Sequence, residues 1–169
     1  MPAPADSARD AVACFRRDFK TVILGTAGAD GEPAASVAAA VLGEDLSFYA
    51  YVSALAVHTR HLIVNPRASV LLVEDEAAAG QLLARRRLTF SCRMERLDRT
   101  DPEFDLRVGE LRAKFGAVFD MLVTLPDFVL VRLVPQRGRL VIGFGAAFDV
   151  DPADWTKLTP VGRPPAAPA

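Results

Sequence analysis

The stretch Ser53-Ala-Leu-Ala-Val-His58-Thr59-Arg60-His61-Leu-Ile-Val-Asn65-Pro66 separates two apolar segments, residues 46–51 and 68–74, that are predicted to form β-strands. It is polar, carries a fixed positive charge and contains both histidines of the chain. Its hydroxyl, imidazole and guanidinium groups are hydrogen-bond donors that can surround an anionic group. We therefore expect the ligand site of this protein to begin in this stretch.

Further strands and two helical regions are predicted on either side of this stretch. Asp30-Gly31 is a hairpin signal, because such turns need positive φ angles. Residues 102–124 repeat apolar side chains every three or four positions, which predicts a helix with Gly116 as a candidate break. A first helix is expected to begin at a capping residue, Asp6 or Ser7. The predicted strands cover residues 21–26, 33–42, 46–51, 68–74, 85–97, 127–135 and 139–144, the last two as a hairpin through Gln136-Arg137-Gly138.

This order of elements predicts a mainly β fold with peripheral helices, an α+β arrangement. The strands are typical of a six-stranded antiparallel Greek-key split barrel, because closing the sheet hides its edges. A chain of 169 residues is long enough for one hydrophobic core. We therefore predict a single domain over residues 6–158, with disordered Pro- and Ala-rich tails at 1–5 and 159–169.

Composition limits the partners and the location that we expect. The net charge is −1, so no overall field attracts nucleic acid or an anionic membrane, and neither is an expected partner. No segment approaches the ~20 apolar residues of a membrane span, and no secretory signal is visible, so a cytoplasmic location is expected. Cys14 and Cys92 lie far apart in apolar surroundings, which favours buried free thiols over a disulfide.

The two histidines, His58 and His61, are spaced so that a helical turn would place both on one side. Pairs of this kind occur in metal sites, but no cysteine or carboxylate nearby completes a ligand set, and we predict no metal. Two interpretations remain open. The imidazoles are satisfied polar groups at an interface, or they contact an anionic ligand together with Ser53, Thr59 and Arg60.

A second polar group begins at the run Arg85-Arg86-Arg87. Alternate residues of a strand share a face, so one face of this strand is polar and consists of Arg85, Arg87, Thr89 and Ser91. Arginine is suited to bidentate binding of phosphate or carboxylate. The alternative interpretation is a solvated strand end whose charges protect a sheet edge.

Two other features are less informative about chemistry. Asp127 lies among apolar residues, so its carboxylate needs solvent or a partner, for which His58 and the arginines are candidates. Gly143 and Gly145 resemble part of a phosphate loop, but no helix follows, which argues against a doubly wound nucleotide site and favours close backbone approach or a strand kink. Without a GxSxG motif, nucleophilic hydrolysis has little support.

Several motifs in combination resemble the pyridoxamine-phosphate-oxidase-like, FMN-binding split-barrel superfamily and, within it, the branch that includes haem-utilisation proteins. The resemblance extends over residues 20–150. The motifs are Asp30-Gly31-Glu-Pro33-Ala-Ala-Ser36, Ser53-Ala-Leu-Ala-Val-His58-Thr59-Arg60-His61-Leu, Asn65-Pro66-Arg-Ala-Ser69-Val, Arg85-Arg-Arg87-Leu88-Thr89, Asp127-Phe, and Gly138-Arg139-Leu-Val-Ile-Gly143-Phe144-Gly145-Ala-Ala-Phe148.

The resemblance implies a homodimer that binds a small molecule at the subunit interface. In flavin-binding members, the segment matching residues 53–60 holds the FMN phosphate, and the flavin lies along the strand matching residues 34–40. His58 stands where many of these members have a lysine. The implied function is that of an FMN-dependent oxidoreductase, with His58 and Asp127 at the interface. The implied cofactor-binding residues are Ser36, Ser53, His58, Thr59, Arg60, Arg85, Arg87, Thr89 and Arg139.

Haem is the alternative cofactor. Haem-handling members ligate the iron through a histidine in the C-terminal segment, whereas this chain has no histidine after His61. We therefore rank FMN above haem. In the haem alternative, His58 or His61 would ligate the iron, and the propionates would pair with Arg85, Arg87 and Arg139. A third alternative is a non-catalytic ligand carrier on the same fold.

Overall fold

A computed structural model describes residues 4–162, which form eight strands and four α-helices. The strands are β1 (Thr21–Ala27), β2 (Pro33–Leu42), β3 (Phe48–Ser53), β4 (Arg67–Val73), β5 (Arg87–Leu97), β6 (Phe128–Gly143), β7 (Ala146–Asp151) and β8 (Asp154–Pro160). The helices are α1 (Pro4–Asp18), α2 (Val57–Val64), α3 (Pro102–Phe115) and α4 (Ala117–Thr124). Two 3₁₀ turns, Glu76–Ala78 and Leu82–Ala84, lie in the connection between β4 and β5.

Six of the strands close into an antiparallel barrel, as predicted. The strand order is β3-β2-β1-β4-β5-β6, and β3 pairs with β6 to complete the ring. The closing register extends from Phe48 opposite Leu133 to Ser53 opposite Phe128. Beyond the barrel, β7 continues the sheet from β6, and β8 pairs with β7.

The barrel is filled by the side chains that alternate inward along each strand. Phe48, Phe90 and Trp155 are fully buried, and the ring centroids of Phe90 and Trp155 are 4.4 Å apart in a stacked arrangement. This aromatic cluster connects β8 to the barrel core. A buried aromatic side chain removes a large apolar area from water, so these contacts stabilise the whole sheet.

Helices cover both ends of the barrel and part of its outer surface. Ala8, Ala11 and Val12 of α1 join the barrel core near the start of β1, and Leu62 of α2 joins it at the opposite end. A second apolar cluster packs α3 and α4 against the outer surface of β2, β3 and β6, with Tyr49 at its centre. The outer surface of β1, β4 and β5 carries no helix, and this is where the main cleft lies.

One predicted hairpin is wrong. The two segments predicted as separate strands, residues 127–135 and 139–144, belong to a single long strand, β6 (Phe128–Gly143), and Gln136-Arg137-Gly138 lies within it. The pairing with β5 shifts at this point, so Gln136 is the extra residue of a β-bulge. Gly138 permits close packing here, because a Cβ atom would lie 2.6 Å from Cε1 of Phe90.

Some element ends and the predicted tails also differ from expectation. Strands β7 and β8 were not predicted, since the final part of the chain was expected to contain no further strand. Pro4 and Ala5 belong to α1, whereas Thr159 and Pro160 belong to β8, and none of these four lies in a tail. Val161 and Gly162 follow β8, and the amide of Val161 donates to the carbonyl of Ala147 at 2.9 Å. The other tail residues, 1–3 and 163–169, lie outside the described part of the chain.

The break at Gly116 and the burial of Cys92 are confirmed, whereas Cys14 is not fully buried. Gly116 separates α3 from α4 with a positive φ of 69°, a backbone conformation that glycine adopts most easily. Cys92 is buried and Cys14 is half-buried, and both are free thiols. Within residues 4–162, no helix combines the length and the apolar character needed to cross a bilayer.

Candidate functional site

A cleft with a volume of about 940 Å³ lies on the open outer surface of the barrel. It extends over β2, β1, β4 and β5 to the middle of β6. Four strand spacings separate β2 from β6, which gives a width of about 19 Å. The cleft is therefore large enough for a sizeable organic ligand. Its lining includes Gly25, Thr26, Ala27, Pro33, Ala34, Ala35, Asn65, Arg67, Ala68, Ser69, Ser91, Arg93, Gln136 and Arg137.

The floor of this cleft is formed by small residues that lie opposite one another on neighbouring strands. Gly25 of β1 lies opposite Ala35 of β2 on one side and opposite Ser69 of β4 on the other. Ala27 and Ala34 extend the same floor. Because these side chains are short, a flat ligand could lie close to the backbone of three neighbouring strands. Of residues 34–40, which the resemblance places along a flavin, Ala34 and Ala35 line this cleft.

Three arginines, Arg67, Arg93 and Arg137, form the charged side of the cleft. Arg67 lies directly opposite Arg93 in the pairing of β4 with β5, so two like charges face each other. Like charges in such a position are destabilising unless an anion lies between them. Within residues 4–162, none of the three guanidinium groups forms an ion pair with a carboxylate. Among the described residues, the side chain of Arg67 donates only to Asn65 Oδ1, at 3.2 Å.

The helix α2, which carries both histidines, lies at the end of the barrel beside this cleft. Asn65 anchors the helix by donating from Nδ2 to the carbonyl of Ala27, at 3.2 Å. The ring atom Nδ1 of His61 lies 3.3 Å from the hydroxyl oxygen of Thr26. His58 is half-buried, and this burial lowers its pKa below the usual 6.5. Nε2 of His58 and the hydroxyl of Thr59 are buried without a hydrogen-bond partner among the described residues.

Asp127 has its partner within the same chain. The hydroxyl of Ser53 donates to Oδ2 of Asp127 at 2.7 Å, and the amide of Ala54 donates to its carbonyl at 2.7 Å. These contacts fix the start of α2 to the start of β6. The candidate partners from the sequence, His58 and the arginines, do not contact Asp127 within the protomer that the structure describes.

The arginines at the start of β5 lie at the other end of the barrel. Arg85 donates to Glu74 O and forms an ion pair with Glu76 at 2.7 Å, whereas Arg139 pairs with Asp149 at 2.9 Å. The guanidinium of Arg87 is exposed and donates only to the carbonyl of Arg85. The strand begins at Arg87, and its outward side chains Arg87, Thr89 and Ser91 alternate with buried ones, as predicted.

The two predicted groups do not meet within one protomer. The register places Arg67 opposite Arg93 and Val73 opposite Arg87, so Arg87 lies six residues along β5 from the end covered by α2. That separation is about 20 Å. A common site built from both groups would need a second copy of the chain. Of the polar face predicted on β5, only Ser91 lines the cleft. The predicted cofactor-binding and interface residues lie outside its lining: Ser36, Ser53, His58, Thr59, Arg60, Arg85, Arg87, Thr89, Asp127 and Arg139.

Three arginines of the cleft were missed as site residues, for different reasons. Arg93 continues the alternation Arg87, Thr89, Ser91 by one more step, and extending that pattern would have found it. Arg137 was assigned to a turn. Arg67 belongs to the Asn65-Pro66-Arg67 motif, but no spacing pattern in the sequence marked it as a binding residue.

The comparisons with known proteins agree with this fold. The family model of pyridoxamine 5'-phosphate oxidase matches residues 8–142. The haem oxygenase HutZ of Vibrio cholerae is 38% identical over 140 residues, which cover 83% of this chain and 79% of HutZ. A crystal structure of V. cholerae HutZ, described as a haem storage protein, matches with a TM-score of 0.74 and 34% identity, covering 80% of this chain and 94% of that one.

Two longer proteins have similar structures. Campylobacter jejuni ChuZ matches with a TM-score of 0.81 and 29% identity over 93% of this chain and 63% of its own. A haem-binding protein from Mycobacterium smegmatis matches with a TM-score of 0.73 and 26% identity over 92% of this chain and 61% of its own. The chain therefore belongs to the pyridoxamine 5'-phosphate oxidase family and, within it, to the haem-utilisation branch that contains HutZ.

Proposed function

We propose that this protein binds haem and serves in haem utilisation, with the porphyrin ring in the cleft over the small-residue floor. The observation that carries the proposal is the combination of that floor with Arg67, Arg93 and Arg137, whose charges are not balanced by carboxylates within the described residues. The similarity to HutZ supports it. The relatives favour this haem alternative over the flavin function that we ranked first from the sequence.

The chemistry of the cleft fits haem. A porphyrin is a flat apolar ring with two propionates on one edge, and the cleft has a low floor with cations along one side. Burial of the ring contributes about 25 cal/mol for each Å² of apolar surface removed from water. Charge-assisted hydrogen bonds from guanidinium groups to the propionates add about 1.5–3 kcal/mol each. When bound, the haem iron would supply redox chemistry that the side chains themselves cannot.

We also propose that the protein is a homodimer with the ligand at the interface. The side chains next to the cleft support this, since Val37 is 63% exposed and lies opposite Ile23, which in turn lies opposite Leu71 of β4. An apolar row of this kind on an open sheet surface is suited to burial against a partner. A second copy could also bring its Arg87 towards the α2 end of the first.

In this dimer, we propose that Asp127 meets His58 of the second copy. We expect Asp127→Asn to weaken the dimer, because asparagine can still accept the hydrogen bond from Ser53 but has lost the negative charge. Analytical ultracentrifugation over a dilution series measures the effect. Ser53→Ala is the matched control, because it removes only hydrogen bonds within the chain, the one donated to Asp127 and the one accepted from the amide of Leu55. A sedimentation profile of Asp127→Asn identical to that of the native protein would contradict the pairing.

FMN is the second candidate ligand, and one observation favours it. The helix α2 has no side-chain cap at Ala56, and the hydroxyl of Thr59 is buried without a partner in the described structure. Free amides at a helix start can bind a phosphate. Ser53, His58 and Arg60 would complete that phosphate site, with Ser36 beside the flavin ring. The protein would then act as an oxidoreductase.

Titration of the purified protein with hemin and with FMN tests these proposals. We expect a Soret band with hemin and saturation at one ring per cleft. Arg93→Ala and Arg137→Ala should each weaken hemin binding about tenfold or more, since tenfold corresponds to 1.4 kcal/mol. Arg9→Ala is the control, because Arg9 is exposed on α1 and pairs only with Asp6.

Three outcomes distinguish the ligands. If Arg93→Ala and Arg137→Ala both bind hemin with native affinity, the porphyrin ring does not lie in this cleft. A protein that is yellow as purified, and that binds FMN but not hemin, would support the flavin candidate instead. A protein that binds neither hemin nor FMN would support the third alternative, a non-catalytic ligand carrier.

A further inference from the structure

Two adjacent leucines, Leu82 and Leu83, project from the connection between β4 and β5 with 59% and 79% of their surface exposed. This connection, residues 74–86, is called the leucine loop below. It lies at the opposite end of β4 and β5 from α2 and the cleft. Resting on the proposed haem site and homodimer, we propose that Leu82 and Leu83 of a second copy cover the porphyrin ring in the cleft of the first.

The leucine loop is held in a defined shape by its own hydrogen bonds. At its base, the amide of Glu74 donates to the carbonyl of Arg86 at 2.9 Å, and Nε of Arg86 donates to the carboxylate of Glu74 at 2.9 Å. Arg85 donates to the carbonyl of Glu74. The side chains of Asp75 and Gln81 cap the two 3₁₀ turns. A loop that is built in this way and still exposes two leucines is typical of a surface that an apolar partner covers.

The leucines find no apolar partner in their own chain. They are absent from the lining of the cleft, and Val73 at the base of the loop is six residues along β4 from Arg67 in the cleft. That separation is about 20 Å. Ala78, in the first turn of the loop, packs towards α1, whereas the second turn presents its leucines to solvent. An apolar surface for them must therefore come from another molecule.

The charges of the cleft decide how two copies can meet. The open surfaces of two barrels pack face to face about a two-fold axis that lies between them. With this axis along the strands, the unbalanced arginines of both clefts would face each other and repel. With the axis across the strands, at the apolar row of Val37, Ile23 and Leu71, the arginine end of one copy meets the loop end of the other. The second arrangement places each leucine loop over the cleft of the other copy.

Leucine side chains suit this position because a porphyrin is apolar on both surfaces and the cleft covers only one of them. Gly25 and Ala35 lie in the floor beneath the ring, and the two leucines would shield its other surface from water. Arg87 directly follows the loop, and its exposed guanidinium would approach the same ring. A complete site therefore combines the floor and arginines of one copy with the leucines of the other.

Titration with hemin tests the contact between the leucines and the ring. The double variant Leu82→Asn with Leu83→Asn should bind hemin about tenfold or more weakly, because the ring loses its apolar cover. Leu106→Asn is the matched control, since Leu106 is exposed on α3 and does not line the cleft. Circular dichroism and sedimentation check folding and dimerisation. Native affinity in the double variant, or its dissociation into monomers, would overturn the contact with the ring.

Mixed dimers test whether each loop serves the other copy. One subunit carries Leu82→Asn with Leu83→Asn. The other subunit carries Arg93→Ala with Arg137→Ala, and two different affinity tags isolate the mixed pair. This dimer should regain one tight hemin site, because the intact cleft of one subunit faces the intact loop of the other. Weak binding by the mixed dimer would overturn the proposal and leave the haem site standing. Failure of the native protein to bind hemin would instead overturn the proposed function itself.

Discussion

At the scale of single residues, a few positions determine whether the strands can approach one another. Gly138 is the clearest example, because β5 and β7 pack against β6 on both sides of it. The atoms nearest to its Cβ position are Cε1 of Phe90 at 2.6 Å and Cβ of Val150 at 2.8 Å. From the sequence, this glycine was a turn residue. Its contacts depend on residues 48 positions earlier and 12 positions later, which local patterns do not reveal.

We predict that Gly138→Ala destabilises the protein by about 1–3 kcal/mol, because the added methyl group overpacks a well-filled core. Urea unfolding followed by fluorescence of Trp155 measures the change in the free energy of unfolding. Gly143→Ala is the control, since nothing lies within 4 Å of the Cβ position of Gly143. Equal stability of the two variants would contradict the packing role of Gly138.

At the scale of elements, the sequence predicted the strands with a clear alternation and failed where an irregularity interrupts one. The alternation of Arg87, Thr89 and Ser91 is confirmed in β5. In β6, the polar residues Gln136 and Arg137 beside a glycine have the composition of a turn, although a bulge keeps them in the strand. That error also hid Arg137 from the predicted site. The sequence predicted a polar group at α2 and another at the start of β5, but the distance between these two groups follows only from the register of β4 with β5.

Strand β5 carries arginines at both ends, which provides a test of how the site is assembled. We expect Arg87→Ala to weaken hemin binding about tenfold or more without unfolding the protein. The reason is that the exposed guanidinium of Arg87 donates only to a carbonyl within its own chain and remains available to a ligand held by a second copy. Equilibrium titration, with circular dichroism as the folding check, gives the result. Unchanged affinity would remove this end of β5 from the site.

At the scale of the whole molecule, the sequence was sufficient for the family and for the closed barrel, but not for the two strands added to it. The motifs between residues 20 and 150 carry the family resemblance, and β8 lies beyond them. The last strand contains Asp154, Lys157 and Pro160, a composition close to that of a loop. Its position is determined by Trp155, whose partners Phe48 and Phe90 are distant in the sequence.

We predict that Trp155→Ala lowers the free energy of unfolding by about 3–5 kcal/mol, the usual cost of truncating a buried aromatic residue to alanine. Thermal unfolding followed by circular dichroism measures it. Lys157→Ala, on the same strand but 70% exposed at its side chain, should change stability by less than about 0.5 kcal/mol. A small effect of Trp155→Ala would mean that the domain does not depend on β8.

A closed barrel has no unpaired strand edge, but this sheet continues past closure, and within residues 4–162 the outer edge of β8 pairs with no further strand. Unpaired amide groups of this kind are templates for intermolecular aggregation. Pro160 offers no N–H to a foreign strand, while Asp154 and Lys157 place charges along the same segment. We therefore expect uncharged, non-proline substitutions at these few residues to favour intermolecular pairing along β8, whatever the protein binds.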